Sequence, residues 1–137
     1  MPKRVLIVDD SSLVRKMLLF LFASNGFSIC GEAENGAQAI EKARQTRPDI
    51  IVLDYSMPVM DGIRAAKSLK QLMPRVPLLL FTVYDSCVLE KEALAAGVAA
   101  IVLKEKALDL IAKARTLLSA EAESEAYARR ADAAVDR

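Results

Sequence analysis

The feature that most constrains this chain is a rhythm. Short runs dense in Val, Ile and Leu, such as VLIV at 5–8, IIVL at 50–53 and LLLF at 78–81, alternate with longer segments of helical period. Runs that are apolar at every position cannot face water on one side, so they need cover on both faces, as the strands of a parallel α/β sheet have. Strands are expected at Arg4 to Asp9, Ser28 to Ala33, Ile50 to Asp54, Leu78 to Thr82 and Ala100 to Leu103. Helices are expected at about Ser12 to Asn25, Ala37 to Arg47, Gly62 to Met73 and Cys87 to Ala96, with a fifth from near Ala107. The punctuation agrees: Ser11 or Ser12 can cap the first helix, Gly26 and Gly97 sit where left-handed helix ends belong, and Pro48 and Pro74 follow the second and third helices. Five βα units make a doubly wound five-stranded parallel sheet with helices on each side.

Ligands of such sheets gather at the carboxyl ends of the strands. The residues there are Asp9 and Asp10 after the first strand, Asp54 after the third, Thr82 after the fourth and Lys104 after the fifth. Each has an ordinary explanation alone. Asp9-Asp10-Ser11-Ser12 reads as helix capping, Asp54 as a turn former before Met57-Pro58, Thr82 as a β-branched strand residue and Lys104 as a solvated strand end. Together they form a set: carboxylates at two strand ends, with a hydroxyl and an ammonium at two others. Adjacent acids at the end of a buried strand repel each other, and something must offset that.

Composition narrows what that partner is. The chain has no histidine, and its two cysteines, Cys30 and Cys87, are far apart. Histidine-based triads and histidine-ligated zinc are excluded within the chain, and the cysteines read as reduced thiols filling space as small hydrophobes. Oxygen-only ligands suit a hard cation, and Mg²⁺ is commonly held by one or two carboxylates, waters and a phosphate. A lysine beside that metal implies that an anion also visits, and phosphoryl transfer uses these parts. Lys and Arg number 19 against 18 for Asp and Glu, which gives no overall bias toward nucleic acid or an anionic membrane. The longest apolar run, Met17 to Ala23, is seven residues, and no cleavage-type sequence follows the N-terminus. A cytoplasmic protein with no direct nucleic-acid or membrane contact is the expectation.

From about Lys3 to Leu118 the residues resemble response-regulator receiver domains of two-component signalling: VLIVDDS at the first strand, DIIVLDYSMPVMDG around Asp54, then Thr82 and Lys104. The resemblance implies a flavodoxin-like receiver fold with strand order 2-1-3-4-5, which makes the first and third strands neighbours. It also implies that Asp54 is the phosphoacceptor, a role the residues alone do not distinguish among the three aspartates. By the same resemblance Asp9, Asp10 and Asp54 bind Mg²⁺ with the backbone carbonyl of Ser56, and Thr82 and Lys104 contact the phosphoryl oxygens. The donor would be a phosphohistidine on a sensor histidine kinase or a histidine phosphotransfer protein, and the only catalysis would be of the domain's own aspartyl phosphorylation and dephosphorylation. Three positions depart from the family pattern. Ile101 stands where an aromatic switch residue is usual, Glu105 follows Lys104 in place of a cis proline, so a trans bond is expected, and Val83 replaces a smaller alanine, with bulk that would narrow access to the site. Lysine followed by an acid resembles the branch related to nitrate-response regulators.

Residues 1–118 are thus expected to form the receiver domain and 119–137 a helical extension, with no output domain. In the extension Leu117, Ala120, Ser124, Tyr127, Ala131 and Ala134 recur at 3-4 spacing, and Glu125 to Arg129 is a favourable i, i+4 pair; the stripe spans few heptads and its small residues bury little area, so a frayed surface helix is the first reading and a homodimer contact the second. In the first helix Val14, Leu18, Leu21 and Phe22 are expected to face the sheet. Leu13, Met17 and Phe20 make a second stripe toward solvent, either packed under the fifth helix or open to a kinase or phosphotransfer helix. The function expected is a phosphoacceptor that signals by protein contact. The alternatives are a degenerate receiver used as a docking or dimerisation scaffold, the separated receiver half of a DNA-binding regulator, and an aspartate-dependent phosphatase, whose usual D-x-D-x-T the sequence DDSS lacks.

Overall fold

The computed structural model describes residues 1–135, with side chains through Ala133. Asp136 and Arg137 of the expected extension, and the Ala134 side chain of its stripe, lie outside the described residues. Five strands, β1 (Arg4–Val8), β2 (Ser28–Ala33), β3 (Ile50–Leu53), β4 (Leu78–Thr82) and β5 (Ala100–Leu103), alternate with five helices, α1 (Ser12–Ser24), α2 (Gly36–Thr46), α3 (Gly62–Leu72), α4 (Cys87–Ala95) and α5 (Leu110–Val135). All strand pairs are parallel and the order is β2-β1-β3-β4-β5, the flavodoxin-like order.

Alternate side chains of each strand face opposite sides of the sheet, and the core divides accordingly. Leu6, Val8, Ile51, Leu53, Leu78 and Leu80 pack with Ala39 and Ala43 of α2, Leu69 of α3 and Leu89 of α4. Val5, Ile7, Ile50, Val52, Leu79 and Phe81 pack with Leu18 and Phe22 of α1 and Leu110 and Ile111 of α5. Burial on both faces is why the runs show no polar alternation.

Capping follows the local sequence. Ser11 Oγ accepts from the Val14 N–H and the Asp61 carboxylate from the Arg64 N–H, while Gly26 and Gly97 take the positive φ expected of them. β1 and β3 stop one residue before Asp9 and Asp54, which leaves both acids just past the ladder. Among the described residues every peptide bond is trans, including that after Lys104. The fifth helix begins later than expected: a 3₁₀ segment over Lys104–Asp109, broken at Lys106, carries the chain off β5, and α5 proper starts at Leu110, the first residue there that can be buried.

At 26 residues α5 is about 39 Å long, against about 17 Å for a five-residue strand, so it continues well past the amino ends of the sheet. The stripe at 3-4 spacing is not its packed face. Ala120, Ser124, Tyr127 and Ala131 are exposed, whereas Leu118, Glu121, Ala122 and Glu125 line a cleft with Lys3 and Arg75. The small residues of the stripe bury little area, whereas the half-buried Glu121 and Glu125 share the cleft with the two cations. Glu125 and Arg129 form no ion pair; among the described residues the pairs are Arg15 with Glu32 and Lys104 with Asp9 and Asp54. Cys30 packs partly into the core as expected, but Cys87 is exposed at the start of α4 and fills no space.

Candidate functional site

Parallel pairing of β1 with β3, Val8 opposite Leu53, delivers Asp9 and Asp54 side by side. The backbone ties them in: the Asp54 N–H donates to the Val8 carbonyl at 2.9 Å and the Asp9 N–H to the Ala33 carbonyl at 3.0 Å. Asp54 is pressed from the other side by the start of α3, where Gly62 donates its N–H to the Tyr55 carbonyl. A Cβ at Gly62 would lie 2.3 Å from the Asp54 carbonyl oxygen, so the approach admits only glycine.

Asp9, Asp10 and Asp54 offer carboxylate oxygens that all lie within 4.8 Å of one another, with Asp9 and Asp54 buried and Asp10 exposed. Lys104 Nζ sits 2.9 Å from Asp9 Oδ2 and 3.4 Å from Asp54 Oδ1. Thr82 is fully buried at the end of β4, and its Oγ1 accepts the Tyr84 N–H at 3.2 Å. Ser56 is exposed in the loop after Asp54, Val83 is exposed, and Ile101 is partly buried among core residues. The structure therefore brings Asp9, Asp10, Asp54 and Lys104 together.

The electrostatic cost is visible at Asp54. Burial, then the Asp9 charge, lift its pKa from 3.8 to about 6 despite the opposing pull of Lys104, and Asp10 adds the smallest part. Mutual repulsion is thus second to burial. Burial alone would lower the Lys104 pKa, but its bond to Asp9 and the charges of Asp54 and Asp9 outweigh it and hold the ammonium above its ordinary value. The lysine offsets part of the charge of two acids. It cannot offset three. Three converging carboxylates with only oxygen donors fit a hard divalent cation such as Mg²⁺.

Sequence reasoning missed three features. Arg15 Nη1–H donates to the Asp9 carbonyl at 2.6 Å, legible only as a cation five residues past the acid pair. Tyr55 and Tyr84 meet edge to face at 5.7 Å across the ends of β3 and β4. Val59, a β-branched and exposed residue, has φ of +70°, and the Met60 N–H donates to the Pro58 carbonyl around it, a tight strained turn five residues past Asp54. No residue type at 59 signals that conformation.

Comparison with known proteins is consistent across sequence and structure. Residues 5–115 match the family described as the response regulator receiver domain. The chain is 36% identical over 114 residues to the chemotaxis protein CheY of Bacillus subtilis (strain 168), covering 83% of this chain and 95% of that protein. It is 34% identical over 112 residues to the transcriptional regulatory protein LnrK of the same organism, covering 81% of this chain but 51% of the longer relative. Among solved structures it resembles the CheX-CheY-BeF3-Mg complex from Borrelia burgdorferi, with a TM-score of 0.77 at 29% identity over 83% of this chain and 90% of that one. A two-component response regulator of the LuxR family from Aurantimonas sp. SI85-9A1 superposes with a TM-score of 0.84 at 27% identity, over 88% and 87% of the two chains.

Proposed function

The chain belongs to the response regulator receiver domain family, and from that premise we propose that it is a phosphoacceptor in which the Asp54 carboxylate takes a phosphoryl group from a phosphohistidine on a partner protein. Receiver domains are signalling domains of two-component systems and are not enzymes toward a separate substrate. The observation that carries the proposal is the cluster itself: three carboxylates within 4.8 Å beside an ammonium that spans two of them.

The nucleophile's role falls to Asp54 by its match to the family's pattern in DIIVLDYSMPVMDG, and its buried carboxylate lies beside Asp9 and Lys104. Its Oδ attacks phosphorus as the bond from phosphorus to the histidine nitrogen breaks, and the electron pair stays on the imidazole. Lys104 then exchanges its Asp54 contact for a phosphoryl oxygen, and the Thr82 hydroxyl, free to donate while its oxygen accepts from Tyr84, serves a second. Asp9, Asp10, Asp54 and the Ser56 carbonyl would hold Mg²⁺, which when bound neutralises charge on the transferred group.

The partner is a sensor histidine kinase or a histidine phosphotransfer protein. Leu13, Met17 and Phe20, exposed along α1 from the acid end, supply an apolar stripe for its helix. Residues 1–118 form the receiver unit and, among the described residues, 119–135 a helical extension whose exposed Tyr127 face is available to a second copy. No helix of the described residues is long and apolar enough to cross a membrane, and a cytoplasmic site of action fits the proposed donors.

The test is mass spectrometry after exposure to a small phosphodonor with Mg²⁺. Wild type gains one phosphoryl group, and neither Asp54→Asn nor a Mg²⁺-free sample does. An undiminished adduct in Asp54→Asn removes it from the role, and no adduct even from a cognate phosphohistidine donor favours a docking scaffold.

A further inference from the structure

Arg15 is the fourth residue of α1, where the helix dipole opposes a cation, and no acidic side chain in the first turn compensates. What holds it there lies behind it. Side chains on a helix lean toward its N-terminus, so the guanidinium reaches back to the end of β1. Nη1–H donates to the Asp9 carbonyl at 2.6 Å, and Nε–H donates to Glu32 Oε1 on β2 at 3.2 Å. The side chain is 16% exposed, a largely enclosed strut between α1, β1 and β2.

The Asp9 carbonyl needs that donor. Asp9 is 1% exposed and lies past the last residue of β1, so neither water nor the strand ladder serves its oxygen. The rest of the residue is fixed as well: its N–H by the Ala33 carbonyl, Oδ1 by the Ser11 N–H at 2.9 Å, and Oδ2 by Lys104. The carbonyl is the one of these groups that shares a rigid plane with the amide of the next residue. Asp10 is exposed, and among the described residues no hydrogen bond holds its carboxylate. Its direction is therefore set by the peptide that precedes it.

The geometry points to Arg15 as a positioning residue of the acid site. By fixing the Asp9–Asp10 peptide plane against β2, it sets where the Asp10 carboxylate meets those of Asp9 and Asp54, and so makes the three available to one divalent cation. Glu32 acts one step further out, aiming the guanidinium. The inference rests on the proposed cation site but assigns a residue outside it.

Calorimetric titration with Mg²⁺ alone, paired with melting curves in EDTA, separates the two. If wild type takes up no Mg²⁺, the cation site itself fails and the inference with it. If wild type binds, Arg15→Met is expected to raise the Kd about tenfold or more, the usual cost of losing an outer partner of a ligand. Arg15→Lys, which keeps one donor for the carbonyl, should recover most of that loss, a rescue that general destabilisation would not show. Glu32→Gln, at a 43% exposed position, should raise the Kd by a smaller factor with unchanged melting in EDTA, and it carries the test if Arg15→Met does not fold. A Kd within twofold of wild type in Arg15→Met, no effect of Glu32→Gln where only that variant folds, or no recovery in Arg15→Lys overturns the assignment.

Discussion

At the amino ends of the strands the polar groups of this protein pair off, and at the carboxyl ends they crowd. Below the sheet, the Arg4 N–H donates to Asp49 Oδ2 at 2.8 Å, its guanidinium donates to the Thr46 and Arg47 carbonyls, and the Asp49 N–H returns to the Arg4 carbonyl. One cation and one acid there tie β1 to the end of α2 and the entry of β3. Above the sheet, three acids crowd beside one lysine that pairs with two of them, and a β-branched residue is held at positive φ five positions from Asp54. The same fold thus has an end that closes it and an end that stores unfavourable interaction for a visitor to relieve.

The largest predicted effect concerns pH in the metal-free protein. With Asp54 raised from 3.8 to about 6 in the folded state, ionising it costs on the order of 3 kcal/mol of stability near neutral pH. The sign follows from the direction: the unfolded chain releases this proton first, so stability from this group is full below about pH 4 and is lost as pH rises through 6. In EDTA, wild type should melt higher near pH 5 than at pH 7.5, by several degrees relative to Asp54→Asn, which has no such proton to release. Parallel pH profiles for the two proteins would place the stored cost elsewhere.

Next comes the metal. Mg²⁺ at a hundredfold excess over its Kd should stabilise wild type by about 2.7 kcal/mol. Asp10→Ala should forfeit most of that gain, yet alter melting in EDTA only slightly and upward. Asp10 proves exposed and the weakest contributor at Asp54, because solvent screens it where Asp9 is enclosed. Equal Mg²⁺ shifts in both proteins would remove Asp10 from the cation site.

The amino end should respond in the opposite way. Arg4→Met removes the donors to two carbonyls at the end of α2 and should cost about 1 to 3 kcal/mol, the penalty for leaving such groups unpaired. The loss should be the same with and without Mg²⁺, and phosphorylation of Asp54 by a small donor should keep its rate. A Mg²⁺-dependent loss in chemical or thermal melts would show that the two ends are coupled through β1.

How much of this was legible follows from what each property depends on. Strand and helix positions lay in the apolar period, since burial on both faces forces it, and the strand-end acids and Lys104 were visible as chemistry. The order β2-β1-β3-β4-β5 came with the resemblance and not from periodicity, because the runs are equally apolar and pairing is set by three-dimensional packing. Arg15 was overlooked because its partner is a backbone carbonyl, which has no letter in the sequence. The exposure of the α5 stripe agrees with the surface-helix reading, but the face that α5 does turn to the domain could not be read from spacing. Ala120, Ser124 and Tyr127 keep the better 3-4 spacing, but Lys3 and Arg75 line the cleft beside the helix together with Glu121 and Glu125.

The smallest effect on stability is expected along α1, which joins the two ends. Leu18 and Phe22 are buried against the sheet, as their spacing predicts, while Leu13 is 77% and Phe20 76% exposed and Met17 is less so. The alternative that α5 covers this stripe is therefore not met among the described residues. The stripe begins within a turn of Asp10 and runs about 10 Å toward the amino end. Phe20→Ser removes an aromatic ring from water rather than from the core, so melting should change by less than about 0.5 kcal/mol, as for most surface positions. The small phosphodonor reaches Asp54 without touching α1, and its rate should hold. A protein donor must lay its own helix beside the site, and transfer from it should slow several-fold through lost docking contact. Rates from both donors on one variant decide the point: equal slowing, or a melting loss of the size expected for Arg4→Met, would mean that Phe20 belongs to the framework of the domain and that the partner approaches from another side.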